Sequence, residues 1–292
     1  MKDTLGEKWF YAINYVMLSF MALTCLLPIV HIVSLSFSDS HSVTSGRVGL
    51  WPIGLTWESY RMLLQGTNTI TAFRNSVLIT VVGTVFNMVF TILAAYPLAR
   101  RRFYARRFFT LAIVFTMLFN AGLIPNYLLI KQLGMLNEYW ALWLPGLVSA
   151  WNMLVMKSFF EQLPEELIEA ARMDGCNEWR LIFRMVLPLS LPIIATLALF
   201  YGVSHWNSFF NVLIYINDPM KYNMSALVQQ MIQNQQLLQE INSADAGAAI
   251  SQTTPETIRS AGIVVMILPM LIVYPFLQKY FVKGVMIGSI KG

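Results

Sequence analysis

Six stretches of this chain contain no Asp, Glu, Lys or Arg: residues 9–38, 75–99, 108–130, 139–156, 185–217 and 260–278. Each has at least 18 residues, and a helix of roughly 20 apolar residues crosses the hydrocarbon core of a bilayer. The runs are continuous rather than alternating, which fits helices and not barrel strands. The sequence therefore predicts an all-α integral membrane protein with six transmembrane helices. Composition agrees, because the 292 residues are 57% hydrophobic and 12% charged, against about 45–50% and about 25% in soluble domains. That excludes an ordinary soluble enzyme, a disordered chain and a secreted disulfide scaffold. The first run is too long for a secretory signal and lacks a cleavage site after a short apolar stretch, so it is expected to remain as a helix.

Six spans place both termini on one side of the membrane. Lys2, Lys8, Arg100, Arg101, Arg102, Arg106, Arg107, Lys157, Arg172, Arg180, Arg184, Lys279, Lys283 and Lys291 fall on that side, fourteen of the chain's 20 Lys and Arg. Arg47, Arg61, Arg74, Lys131, Lys221 and Arg259 fall on the other. The excess predicts cytoplasmic N and C termini. The Arg100–Arg107 cluster is then a topology signal beside anionic lipid. The net charge of +5 has no clustered basic face with aromatic partners, so no nucleic-acid partner is expected.

Three segments between the runs are more than turns. Residues 37–74 lie outside and carry Asp39, Ser40, Gly46, Gly49, Pro52 and Gly54. Residues 218–259 also lie outside. Met224, Leu227, Val228, Met231, Leu238 and Ile241 recur there at helical spacing, which predicts an amphipathic helix near 224–241. A Gly, Ala, Ser and Thr loop follows over 243–254. Self-packing and partner contact both remain open for this region. The third segment, 157–190, is cytoplasmic. Pro164 suits a first helical turn, Glu165 and Glu166 suit the positive end of that helix, and Gly175 is a natural stop. A new apolar stripe runs through Trp179, Ile182, Phe183 and Val186. The segment reads as helix, glycine turn and helix, with small Ala170 and Ala171 permitting close approach by another surface.

Glu169-Ala170-Ala171, then Asp174-Gly175, then Leu187-Pro188 with Pro192, resembles the "EAA" loop of ABC importer permeases. Asn75-Ser76 and then Ala95-Tyr96-Pro97-Leu98-Ala99-Arg100 are similar to the start of the type-1 permease domain. Trp206-Asn207 resembles a feature of carbohydrate permeases. The ending from Gln278 through Gly284 to Ile290-Lys291-Gly292 is similar to the tail of the smaller maltose-transporter permease. The resemblance covers residues 10–35 and 70–292. The outer regions 37–70 and 218–259 depart from the maltose type and look more like the subgroup serving larger or acidic oligosaccharides, which includes alginate-type importers.

The resemblance implies a type I ABC importer transmembrane domain over 71–280, including the coupling loop 157–190 and external loop 218–259. A first span with an external loop would precede it over 1–70, and a cytoplasmic tail would follow over 281–292. The chain would be a permease, half of a pathway for a sugar or oligosaccharide delivered by an extracytoplasmic solute-binding protein in a bacterial cell membrane. A second homologous permease and two ABC ATPase subunits would complete it, with ATP and Mg bound by those subunits and no cofactor in this chain. The absence of a Gly-rich phosphate loop ending Gly-Lys-Ser/Thr agrees. ATPase coupling would fall to Glu165, Glu166, Glu169, Ala170, Ala171, Asp174, Gly175, Leu187 and Pro188. Ile290, Lys291 and Gly292 would touch the ATPase subunits, unless the tail is simply frayed.

Candidates for the substrate pathway are His205, Trp206 and Asn207, with Asn87 and Asn120 besides. Trp206 has helix packing as its simpler role, and His31 reads as a packed or interfacial side chain. Cys25 and Cys176 form no metal or disulfide pattern, and three scattered histidines offer neither a metal site nor a catalytic constellation. Two other classes stay in view. A secondary transporter or channel usually buries charged groups in its spans, and these runs have none. A non-transporting scaffold could use the same cytoplasmic loop to recruit a partner.

Overall fold

The computed structural model of the chain describes residues 4–66, 68–119, 121–242 and 254–289. Among them there is no strand. The helices are α1 (Leu5–Phe37), α2 (Ser40–Thr44), α3 (Glu58–Gly66), α4 (Thr69–Ala99), α5 (Arg106–Leu118), α6 (Leu123–Gln132), α7 (Trp140–Trp143), α8 (Ala150–Glu161), α9 (Glu165–Met173), α10 (Glu178–Leu181), α11 (Leu187–Leu189), α12 (Leu191–Trp206), α13 (Phe209–Tyr215), α14 (Met224–Asn242) and α15 (Pro255–Ser289). A π-helical turn, Ile182–Val186, joins α10 to α11.

Among the described residues three helices are each long and apolar enough to cross a membrane: α1, α4 and the first part of α15, Pro255–Pro275. The third run is split into α5 and α6, bent by 113°. The fifth is split at Ser190, where Glu178–Leu189 meets α12 at 83°. Counting each bent pair as one span gives five. The fourth run, 139–156, is no continuous helix, since α7 and α8 are separated by residues 144–149. Pro145 and Gly146 account for the break, because proline lacks the N–H that would continue the ladder and glycine is a poor helix former. The amphipathic segment does form a helix, α14. Residues 243–253 of the loop expected after it lie outside the described residues, as do Asn120, Ile290, Lys291 and Gly292. Helix α15 continues to Ser289, so residues 281–289 of the expected tail are helical.

The chain divides into two compact units, Met1–Thr69 with Val228–Leu268, and Ile70–Leu227 with Pro269–Gly292. In the first unit, α1 is exposed over residues 6–30 and anchored at its C-terminal end. There the Ser34 hydroxyl donates to the Leu50 carbonyl at 2.6 Å, and Phe37 packs against Trp57 and Tyr60 at centroid distances of 4.9 Å. Asp39 caps α2 through the Ser42 amide at 2.9 Å. That bond holds its carboxyl below the ordinary range.

The second unit carries the features of functional interest. One core gathers Ala95, Met153, Met156, Phe160, Val186 and Leu197 toward the end where α4 finishes. Another gathers Ile79, Ile130, Trp143, Val212 and Ile216. The broken fourth run lies between α4 and α12, and both brace it. The Asn87 side-chain amide on α4 donates to the carbonyls of Gly146 at 2.6 Å and Leu147 at 3.2 Å. The Tyr201 hydroxyl on α12 accepts from the Ser149 amide at 3.0 Å and pairs with Thr91 at 2.7 Å. Ser149 then caps α8 by accepting from the Asn152 amide. Irregular backbone at membrane depth persists only where such partners exist. Replacing Asn87 with Leu leaves two carbonyls without these donors, each worth about 1–3 kcal/mol when buried. The expected outcome is a marked fall in the detergent unfolding midpoint, measured by thermal denaturation of the purified protein.

Candidate functional site

The loop over 157–190 is shaped at its turns by its own hydrogen bonds. Helix α9 begins directly after Pro164, which sits at the capping position with φ −55° and ψ 126° rather than inside the first turn. Glu165 and Glu166 follow in that turn, where the helix dipole favours negative charge. At the other end Gly175 has φ 76°. Its amide donates to Arg172 O at 3.0 Å, and the Cys176 amide donates to Ala171 O at 3.0 Å. This pair of crossed bonds is the Schellman termination, and it needs the left-handed residue that glycine supplies. Asn177 then caps α10 by accepting from the Arg180 amide at 2.9 Å.

Burial sorts the residues expected to couple. Glu165, Glu166, Glu169, Ala170, Asp174, Gly175 and Pro188 are exposed, and Leu187 is half-buried. Ala171 is different. It is buried with Ile168 in the chain's own core, so it is not offered to an approaching surface, because residues 168 and 171 share the inner face of α9 at i, i+3 spacing. The stripe that follows divides in the same way. Ile182 and Val186 are buried, whereas Trp179 and Phe183 are exposed and stack at 6.5 Å.

Glu178 ties this loop to the membrane helix α4, a role that sequence reasoning missed. Its Oε2 accepts from the Tyr96 hydroxyl at 2.6 Å, and its Oε1 accepts from Arg172 Nη2 at 2.8 Å. Arg100 lies over the Tyr96 ring at 4.5 Å. The Tyr96 hydrogen bond foremost, then Arg172 and Arg100, holds the Glu178 carboxyl below its ordinary value. A depressed carboxyl stabilises the fold above its unfolded value, and that contribution is lost as pH falls through the folded one. Only Tyr96 and Arg100, within Ala95–Arg100, had a sequence signal. Nothing local marks Glu178, whose partners lie 6 and 82 residues away.

Deeper in the same unit lies a polar cleft of about 420 Å³, lined by residues of α4, α6, the broken fourth run, α12 and α13. His205 lines it, and its Nε2 lies 2.8 Å from Asn87 Oδ1. Because the Asn87 amide nitrogen is committed to Gly146 and Leu147, its oxygen must face His205, and His205 Nε2–H is the donor. The other two residues of the expected trio do not join the cleft. Trp206 is buried, packs edge-on to Phe73 at 6.0 Å and borders a separate apolar groove. Asn207 is exposed and donates to Val203 O of its own helix at 3.0 Å. Consecutive residues of a helix diverge by about 100°, so three neighbours cannot share one cleft. The residues that do line it are Ser204, Ser208, Asn211 and Tyr215 of the same run, with Asn126, Ser149 and Asn152. A helical polar stripe at 204, 208 and 211 was the available signal. Among the described residues no group of three His, Cys, Asp or Glu could hold a metal ion.

Gly83 makes the His205 position possible. A Cβ there would lie 2.6 Å from His205 Nε2 and 2.7 Å from Cε1, and the ring is clamped by Asn87. Gly83→Ala is therefore expected to destabilise the protein by about 1–3 kcal/mol through overpacking. Adding His205→Ala should recover most of that loss. Thermal unfolding of the two single variants and the double variant checks the coupling.

Residues 87–287 match the family described as binding-protein-dependent transport system inner membrane component. The chain is 39% identical over 290 residues to the polygalacturonan/rhamnogalacturonan transport system permease protein YtcP of Bacillus subtilis (strain 168), covering 99% of this chain and 100% of that relative. It is also 39% identical over 293 residues to the protein LplC of the same organism, covering 100% of this chain and 98% of LplC. Among solved structures it is similar to a chain from a bacterial ABC transporter involved in the import of the acidic polysaccharide alginate. The TM-score is 0.86 at 32% identity, over 96% of this chain and 99% of that one.

Proposed function

The chain belongs to the family of binding-protein-dependent transport system inner membrane components, and from that premise we propose that it is one permease half of an ATP-driven importer for an oligosaccharide. It is a multi-pass membrane component of a transporter and not a member of an enzyme family. The observation that carries the sugar reading is the correspondence along nearly the whole chain to a polygalacturonan/rhamnogalacturonan permease, supported by the likeness to an alginate importer chain. An extracytoplasmic binding protein delivers the sugar, and a second, homologous permease supplies the other half of the pathway. Two ABC ATPase subunits bind ATP and Mg beneath the membrane. Both termini lie in the cytoplasm and the broken fourth run is the sixth crossing, a reading supported by the excess of Lys and Arg on one side.

Coupling falls to the exposed face of α9, namely Glu165, Glu166, Glu169 and Ala170, with Asp174 and Gly175 at its end. ATP binding closes the ATPase pair, draws the coupling helices together and shifts the spans toward an outward-open state. Each ligand shifts that equilibrium only by its differential affinity for the two states. Glu178 acts as a positioning residue, linking α9 through Arg172 to α4 through Tyr96.

Purification from the native membrane in mild detergent, followed by mass spectrometry, tests the assembly. Recovery of a P-loop ATPase and a second permease supports it, and recovery of the chain alone after crosslinking through residues 165–175 overturns it. Gly175 supplies a sharper prediction. No atom lies within 4 Å of a Cβ built there, so substitution strains the backbone without a clash. Leaving the left-handed region to a side chain costs about 1–2 kcal/mol. Gly175→Val is expected to reach the membrane and support no uptake, whereas Gly175→Asn, which tolerates that conformation, retains part of it. Membrane fractionation and ATP-driven uptake give both readouts, and normal uptake by Gly175→Val sinks the coupling assignment.

A further inference from the structure

The polar cleft beside His205 holds more hydrogen-bonding groups than the chain itself uses. Asn87 and His205 satisfy one another, Asn87 is further committed to Gly146 and Leu147, and Tyr201 to Thr91 and Ser149. Ser208 donates to the His205 carbonyl at 2.6 Å. These bonds tie down one side of the cleft. The side chains of Asn126, Asn152, Ser204, Asn211 and Tyr215 also line the cleft, yet none makes a hydrogen bond among the described residues. Asn152 is only 6% exposed. Ser204 and Asn211 are exposed and Asn126 is half-buried, so their polar groups are open to a ligand in the cleft, and burying a polar group is unfavourable unless it finds a hydrogen-bond partner. The volume of about 420 Å³ falls within the range of small-molecule sites, about 300–1,000 Å³.

The chemistry of the lining narrows the ligand. Amides and hydroxyls each donate and accept, and so do the hydroxyls of a sugar. Among the described residues no Lys, Arg, Asp or Glu lines the cleft. A carboxylate only accepts, carries a charge and needs a cation or several converging donors when desolvated. We propose that this cleft is a sugar subsite that reads hydroxyl groups and gives a uronic-acid carboxylate no partner. It rests on the importer reading above for its place in transport. It separates this chain's contribution from the acidity of the polysaccharides handled by its relatives, which on this account is recognised elsewhere along the path.

The matched probes are α-1,4-linked galactotriose and α-1,4-linked trigalacturonate, which differ only at C6. Saturation-transfer NMR on the purified transporter complex, without binding protein, reads their contact with the membrane subunits. The expected result is transfer to galactotriose ring protons at least threefold stronger than to trigalacturonate. The pair of substitutions Asn126→Leu and Asn152→Leu should reduce the galactotriose signal at least fivefold. Ser204→Ala with Asn211→Ala, which removes hydrogen bonds with little change in packing, should reduce it at least twofold. Stronger transfer to trigalacturonate, no transfer to either probe, or a signal unchanged in the Ser204→Ala and Asn211→Ala variant overturns the subsite. The importer reading fails separately, by absence of ATP-driven uptake in a complex whose cleft still binds galactotriose.

Discussion

A backbone amide or carbonyl inside a bilayer has no water to turn to, and the second unit of this protein is organised around meeting that requirement at one place. The fourth apolar run cannot be a continuous helix because Pro145 and Gly146 interrupt it. The carbonyls thereby released are taken up by the side chain of Asn87, and the amide of Ser149 by Tyr201. Orientation of the Asn87 amide then dictates the tautomer of His205, and Gly83 leaves room for its ring. The break also opens the space between α4 and α12 that becomes the cleft. A helix-breaking dipeptide, one amide and one missing methyl group thus set the geometry of the polar interior.

Much of the architecture was legible from charge alone. Excluding ionic side chains over some 20 residues is a demand of the hydrocarbon core, and α1, α4 and α15 answer it directly. Charge counting is blind to breaks, however, since an interrupted span and a straight one exclude charge equally well. The signals for those breaks were Pro145-Gly146 and Pro188 with Pro192, residues that constrain backbone rather than burial. Helix α9 and its glycine stop were readable because capping is local: Glu165 and Glu166 at one end, Gly175 at the other. Ala171 was not, since whether a small residue faces the core or an incoming surface depends on what lies across from it. The same holds for Trp206 and Asn207, where adjacency in sequence suggested a shared role and the helical turn directs each side chain elsewhere.

The connection between α4 and the loop over 157–190 is a hydrogen bond to a carboxylate, set beside an apolar core. Glu178 accepts from Tyr96 and from Arg172 with separate oxygens, so one carboxylate spans two elements. Its side chain remains more than half exposed, and exposed ion pairs contribute little to stability. The value of the arrangement is directional. It fixes where α9 sits relative to the end of α4, while the buried Ile168 and Ala171 supply the adhesion. Division of labour between apolar attachment and polar aiming leaves the outward face of α9 exposed, where Glu165 also reaches Arg101 at 3.9 Å.

The crossed bonds that end α9 at Gly175 have an energetic consequence as well. They close within the chain, using Arg172 and Ala171 as acceptors, so the angle between α9 and α10 exists before anything meets it. A projection already folded surrenders little conformational freedom on contact. A contact made by such a projection loses little free energy to ordering the loop itself. A surface of that kind is not rebuilt each time it is met.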